Sequence, residues 1–318
     1  MRAVTSALTL AIAFSAFSGS AYAQALSFEI EGPIRMVEPG GSGFIVEVMG
    51  TRINVPANLP VTTPTASMPA SEFFGDTYKY KDLPGISGGN GFIGGTAIVL
   101  GTQTGGVVDA SGFFTDYHEN VVLGGVTAPP AGDESGLYVS GMKIIPLARS
   151  GEEGYDPRYP GLPFQNEYGF EVTKQLAVGS LAAVEGYMDK DGVMRAFLVE
   201  TDLGELVRAG QTEVGVLRAQ CRQRSLTSIE LSVSGAAHGT VPNGLPNSRI
   251  QVKTAAGGVW YGTTIPTAPL TVDGENPLYY LYSYSFKGTP TARQGCPTRV
   301  AVSLGTASAE GEVDLRVD

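Results

Sequence analysis

Residues 44–56 read Phe44-Ile45-Val46-Glu47-Val48-Met49-Gly50-Thr51-Arg52-Ile53-Asn54-Val55-Pro56. Phe44, Val46 and Val48 alternate with Ile45 and Glu47, and beyond the glycine Ile53 and Val55 share one face. A period of two is the signature of a half-buried strand, and a Gly between two such runs supplies the turn. The arrangement returns at Val139-Ser140-Gly141-Met142-Lys143-Ile144: an apolar residue, a turn Gly, a basic residue and a return to apolar, with Pro56 and Pro146 shortly after.

The likeness extends outward from these two corners. Upstream, Glu31-Gly32-Pro33-Ile34 corresponds to Leu123-Gly124-Gly125-Val126. Downstream, the run from Gly91 to Gly101 leads into Gly106-Val107-Val108-Asp109-Ala110. Its counterpart runs from Gly179 to Gly186 and leads into Asp191-Gly192-Val193-Met194-Arg195-Ala196. Two copies of one strand–turn–strand unit therefore run in tandem, over residues 24–118 and 119–206, and differ mainly in loops, where insertions are cheap. Asp189-Lys190-Asp191-Gly192 before an apolar run is a hairpin signal. Helical character is expected only as single turns at Pro69–Phe74 and Asp202–Arg208. Four or five short strands with one longer connection predict a small closed or partly open β-barrel in each copy. These runs resemble the OB-like barrel repeats of uncharacterised exported bacterial proteins. The resemblance spans both copies and rests on turn positions such as Gly50, Gly141 and Gly186, so it implies a fold and no catalytic residue.

Beyond Gly210, seven strands are expected: Glu213–Arg218, Ile229–Ser234, Arg249–Thr254, Val259–Thr264, Leu278–Phe286, Arg299–Leu304 and Glu312–Val317. Alternation is clean in Ile229, Leu231, Val233 and in Val300, Val302, Leu304. Short strands in this number predict a β-sandwich over residues 207–318. The segment resembles the Ig-like modules of bacterial surface and secreted proteins, although Trp260 lies too far from Cys221 for the usual Cys and Trp pairing. Cys221 and Cys296 form an even pair in this one segment, and a bridge between them would stabilise it by ~4 kcal/mol through loop closure. It would tie the first strand of the segment to the approach of the Arg299 strand. The whole is expected to be all-β: two OB-like barrels followed by an Ig-like sandwich.

The N-terminus reads as a targeting segment. Met1-Arg2 is followed by an apolar run over residues 3–17 and by Ala21-Tyr22-Ala23 before Gln24. Small residues at that spacing mark a signal-peptidase site between Ala23 and Gln24, and the apolar run is too short to span a bilayer. Export suits a disulfide. The net charge of −10 becomes −11 when residues 1–23, with Arg2 as their one charge, are removed. That balance argues against nucleic acid and against docking on anionic lipid. Gly supplies 43 of 318 residues, about twice the usual share, which favours tight turns over helices.

Several motifs fail their structural tests. Gly85-Ile86-Ser87-Gly88-Gly89 matches a nucleophile elbow but lacks the strand before it and the helix after it. Gly89-Asn90-Gly91-Phe92-Ile93-Gly94 matches a dinucleotide loop, yet Thr96–Leu100 reads as a strand. Both follow from glycine abundance. His118, in Asp116-Tyr117-His118-Glu119-Asn120, is read as an exposed junction residue rather than a general base. Asp189 and Asp191 lack the third ligand and distal Glu of a calcium loop. Leu278, Tyr280, Tyr282, Tyr284 and Phe286 share one strand face, read as core in preference to an aromatic platform for sugars or peptides. No cofactor or metal site is expected, since the two Cys and the distant His118 and His238 show no ligand spacing.

The expectation is an exported, non-catalytic binding or structural protein of the periplasm or extracellular space, with a polysaccharide or an envelope protein as partner and no transmembrane segment in the mature chain. A separate reading has the OB-like barrel faces bind an oligosaccharide or a protein strand. No oligomeric state is assigned. The rival is an envelope glycan hydrolase using the loop carboxylates Glu152, Glu153 and Asp156.

Overall fold

A computed structural model describes residues 25–75, 82–86, 92–133, 136–202, 204–225, 228–239, 249–254, 267–288 and 295–317. Over these the chain is all-β, with one helix of four residues. The signal segment with Ala23 and Gln24, residues 87–91 of the two glycine motifs, and the expected strand Val259–Thr264 with Trp260 lie outside the described residues.

The deciding stretch forms β2 (Gly43–Val48) and β3 (Thr51–Pro56), preceded by the long β1 (Leu26–Gly40). Val46, Val48, Ile53 and Val55 point into the core, while Arg52 and Asn54 are exposed. Short β4 (Pro60–Thr62) and β5 (Ser67–Pro69) lead to α1 (Ala70–Phe73), then β6 (Thr96–Thr104) and β7 (Val107–Asp116). β1 pairs β2, β2 pairs β3, β3 runs parallel to β7, β7 pairs β6, and β6 returns to β1. The ring is closed, which removes the open edges that invite aggregation.

A second ring repeats this plan with β8 (Asn120–Gly125), β9 (Leu137–Val139), β10 (Met142–Pro146), β11 (Gln165–Asn166), β12 (Leu181–Met188) and β13 (Met194–Thr201). Again the third and fifth strands, β10 and β13, run parallel, and a bridge from Val126 to Val139 closes the circuit. The equivalence reaches single residues. Met49-Gly50 and Ser140-Gly141 both carry positive φ (49° and 82°; 51° and 80°). A two-residue turn with both φ positive matches the twist of its flanking strands. A Cβ on Gly32 would strike the Met49 side chain, and one on Gly124 would strike Ser140. Register slips by one residue beside Gly101 and again beside Gly186. Thr115 Oγ1 donates to the Thr96 carbonyl at 2.8 Å, as Thr201 Oγ1 does to that of Leu181 at 2.9 Å.

The last unit packs two sheets around one core. Its strands are β14 (Glu213–Ser225), β15 (Ser228–His238), β16 (Arg249–Thr254), β17 (Thr267–Pro269), β18 (Thr271–Val272), β19 (Tyr279–Gly288), β20 (Arg299–Leu304), β21 (Ala307–Glu312) and β22 (Asp314–Val317). One sheet has the order β18-β19-β15-β14-β22 and the other β17-β16-β20-β21. A disulfide joins Cys221 on β14 to Cys296 ahead of β20, with Cα atoms 5.8 Å apart. Tyr280, Tyr282, Tyr284 and Phe286 pack on this core with Leu231, Val233, Val300 and Val302, so that face of the tyrosine strand is interior.

Three expected elements are corrected. The first strand of this unit extends to Ser225 rather than Arg218, and the last, expected over Glu312–Val317, is β22, preceded by the unpredicted hairpin strand β21. The helical turn expected at Asp202–Arg208 does not form: Leu206 instead makes a strand bridge to Val172. The two barrels also do not keep separate cores. Leu147, Tyr159, Tyr187 and Phe197 of the second belong to the cluster of Ile34, Phe73, Phe92 and Val99 in the first.

Candidate functional site

A groove of about 680 Å³ opens beside the β9–β10 hairpin of the second barrel. Its walls come from Val126, Leu137, Ile145, Pro146 and Phe164, and from the loop carrying Leu176 and Val178. The floor is buried: Val126 and Phe164 are core residues, while Val178 is 68% exposed at the rim. A concave, mainly apolar surface with a few polar groups is the usual form of a binding site.

Those polar groups are already paired. The turn at Ser140-Gly141 places Tyr138 directly opposite Lys143. Tyr138 Oη donates to Asp133 Oδ2 at 2.6 Å, and Lys143 Nζ donates to the same oxygen at 2.5 Å. The hydrogen bond to the Asp133 carboxylate pushes the Tyr138 phenol up to about 12, keeping it a donor. On the other rim Lys174 Nζ lies 3.0 Å from Glu152 Oε1, and the Arg149 N–H donates to Glu152 Oε2 at 2.9 Å. These partners, the Arg149 N–H foremost, hold the Glu152 carboxyl below the ordinary range, so it is ionised at neutral pH. The arrangement can hold an apolar ligand by burial and orient it with fixed charges.

The loop carboxylates singled out from sequence differ in burial. Glu152 and Glu153 are exposed, whereas Asp156 is 4% exposed and takes Arg158 Nη2 at 2.6 Å and Arg158 Nε at 3.0 Å. Asp156 is therefore not the solvated loop carboxylate that its neighbours suggest, but one half of a buried ion pair. His118 is exposed with φ of 53°, at the link between the barrels. Asp189 is buried in the β12–β13 hairpin. Burial alone would raise its carboxyl, but the Val193 N–H, Arg195 and the Asp191 N–H outweigh that and hold it low. Its oxygens are thus committed to the turn. Gly85 of the elbow motif packs against Asp189 with φ of 74°, leaving no room for a side chain. Among the described residues no group of three or more His, Cys, Asp or Glu is placed to hold a metal ion. No described helix is long and apolar enough to cross a membrane.

Sequence reading missed both junctions. Tyr159 Oη donates to Asp116 Oδ1 across the two barrels, and the other Asp116 oxygen is buried without a hydrogen-bond partner. Burial pushes the Asp116 carboxyl above the ordinary range, against the hydrogen bonds from Tyr159 and the Tyr117 N–H. Tyr279, on the strand face opposite the core tyrosines, stacks on Tyr168 at 4.1 Å and accepts from Asn166 Nδ2 at 2.7 Å. His238 packs edge-on against Phe170 and lies 2.8 Å from Glu213. The Tyr138–Lys143 pair was recoverable from the turn alone, but long-range partners such as Tyr159 and Asp116 leave no local signal. No family model matches the chain, and comparison with curated proteins and with solved structures returns no match.

Proposed function

We propose that this is an exported, non-catalytic binding protein of the bacterial envelope or extracellular space, in which two OB-like barrels and an Ig-like sandwich present the groove of the second barrel to an apolar segment of an envelope protein. The observation that carries the reading is the mainly apolar groove whose lysines are each paired with a carboxylate and whose tyrosine donates to one of them. Recognition there comes from buried apolar area, with charge setting orientation. Its rings, Phe164 and Tyr138, are buried, which favours a protein segment over a sugar, since a sugar would be met by exposed aromatic faces.

The OB-like reading draws on the closed ring and its parallel third and fifth strands, found twice. The Ig-like reading draws on two sheets clamped by a disulfide. Export draws on the N-terminal pattern and suits that bridge. A glycosidase needs one carboxylic acid that is protonated at working pH. The ionised Glu152 and the ion-paired Asp156 weigh against that rival.

The test is capture of envelope proteins by the mature chain and by Val178→Glu, which puts a charge on the groove rim. One defined partner should be retained by the native protein and lost by the variant. Retention indifferent to Val178→Glu, or release of reducing sugar from envelope glycans, would overturn the reading.

A further inference from the structure

The outer face of the five-stranded sheet carries a row of charges remote from the groove. Register sets Lys287 on β19 opposite Glu230 on β15, Glu230 opposite Arg222 on β14, and Arg222 opposite Arg316 on β22. With neighbouring strands about 4.8 Å apart, this row crosses four strands and spans about 14 Å. Lys287 and Arg224 lie 2.8 and 3.2 Å from one Glu230 oxygen, and Arg316 lies 3.7 Å from Asp314. The next row holds Ser285, Ser232, Gln220 and Asp314, with Gln220 Nε2 donating to Asp314 Oδ2 at 3.0 Å, and the next again Ser283, Ser234 and Arg218. Five cations and two carboxylates thus share the face. An open groove of about 460 Å³ runs over this surface.

Like charges set directly opposite in a sheet destabilise it. Arg222 and Arg316 stand that way at one end of the row, with Glu230 as the carboxylate on the other side of Arg222. The wider charge distribution gives the arrangement a direction. Residues 24–206 hold 23 Asp and Glu against 10 Lys and Arg, whereas residues 207–318 hold 8 against 10. An approaching polyanion is repelled by the barrels and steered to this sheet.

We propose that this face binds an anionic polysaccharide. Arg222, Arg316 and Lys287 take successive carboxylate or sulfate groups, and the serine rows with Gln220 take sugar hydroxyls. Guanidinium groups match such oxyanions with two parallel hydrogen bonds. The face offers no exposed aromatic ring for base stacking, which disfavours single-stranded nucleic acid. Its exposed apolar residue, Leu281, lies three rows away from the charged row, so the centre of the face lacks the aromatic or apolar anchor of a protein interface. This site is independent of the barrel groove.

The test is retention of the full chain on immobilised polygalacturonate at low salt, with neutral dextran, oligothymidylate and anionic phospholipid vesicles as parallel arms. Polygalacturonate should be bound, dextran should not, and affinity should fall as salt rises. Arg222→Gln with Arg316→Gln should weaken binding by about tenfold or more, through loss of charge-assisted hydrogen bonds. Lys190→Gln, at an exposed cation of the second barrel, and Val178→Glu should leave it unchanged. Glu230→Gln removes the one carboxylate in the row and should tighten binding, a gain that a misfolded variant cannot produce. Indifference to the arginine pair, equal binding to dextran, preference for oligothymidylate or vesicles, or self-association in place of retention would each overturn the proposal.

Discussion

Between the two barrels, Phe92, Tyr159, Tyr187 and Phe197 pack ring on ring within one large cluster, whereas between the second barrel and the two-sheet unit a smaller set, Tyr168, Phe170, His238 and Tyr279, does so beside Ala236. The first junction also buries the Asp156–Arg158 pair, whose Arg158 carbonyl accepts from Thr63 of the first barrel at 2.9 Å. The second is a thin aromatic stack ringed by Arg149–Glu171 and Arg208–Glu213 at 2.8 and 2.7 Å. One is a core that happens to span two repeats. The other has the polar-rimmed character of an interdomain contact. A repeated ring thus need not be an independent folding unit, and a small stack can join units that keep their own cores.

The strongest blow to this contrast would come from Tyr159→Ala. Loss of a fully buried aromatic ring should cost about 3–5 kcal/mol. Because the cluster is shared, both barrels should lose stability together, in one urea transition. Two separated barrel transitions would break the comparison. Tyr279→Ala should act more gently, costing about 3 kcal/mol for a buried stacked ring in a much smaller cluster. It should expose the connection near residues 207–212 to limited proteolysis and leave the barrel transition where it was.

Acid should sharpen the difference further, with the smallest effect. The Asp116 carboxyl is raised by burial, so the folded state holds its proton more tightly than the unfolded chain. Stability at the first junction should therefore rise as pH falls through that raised value, and be complete near pH ~4. Asp273 at the second junction is held low by the hydroxyl of Tyr168 and the Glu275 N–H. Its contribution is present above the ordinary carboxylate value and lost as pH falls below about 4. Thermal unfolding followed across this range should show the first effect vanish in Asp116→Asn and the second in Asp273→Asn. A steady fall from neutral pH, unchanged in Asp116→Asn, would contradict the assignment.

Local pattern made the strand faces and repeated corners legible. Gly50 and Gly141 fall at matching turns, and Tyr280, Tyr282 and Tyr284 face the core as their alternation requires. The paired Thr115 and Thr201 were open to the same reading, since each ends its barrel ahead of an aspartate. What alternation could not assign was the residue that serves a neighbour. Phe197 is the extra residue at the β12–β13 slip; its counterpart at the β6–β7 slip is Ser111. Ser111 is exposed, while Phe197 is buried against Tyr159 at 5.5 Å. A bulge frees one side chain from the alternating faces, and only the assembled pair of barrels determines where it goes. The groove was hidden for a related reason, as its walls come from β9, β10 and a loop some thirty residues downstream.

The bridge between Cys221 and Cys296 has a mechanical consequence. Cys221 lies on the first strand of the last unit, and that strand pairs in parallel with β22. Tension passed along the backbone from the barrels would load the β14–β22 hydrogen bonds in shear, where they resist together, rather than peel them one by one. At Cys221 the force would cross the sulfur link and leave through Cys296. The strands between the two cysteines, including β15 and the tyrosine strand β19, would then carry no load along their own backbone. While that link is oxidised, pulling on the chain stretches the rim of the last unit and spares its centre.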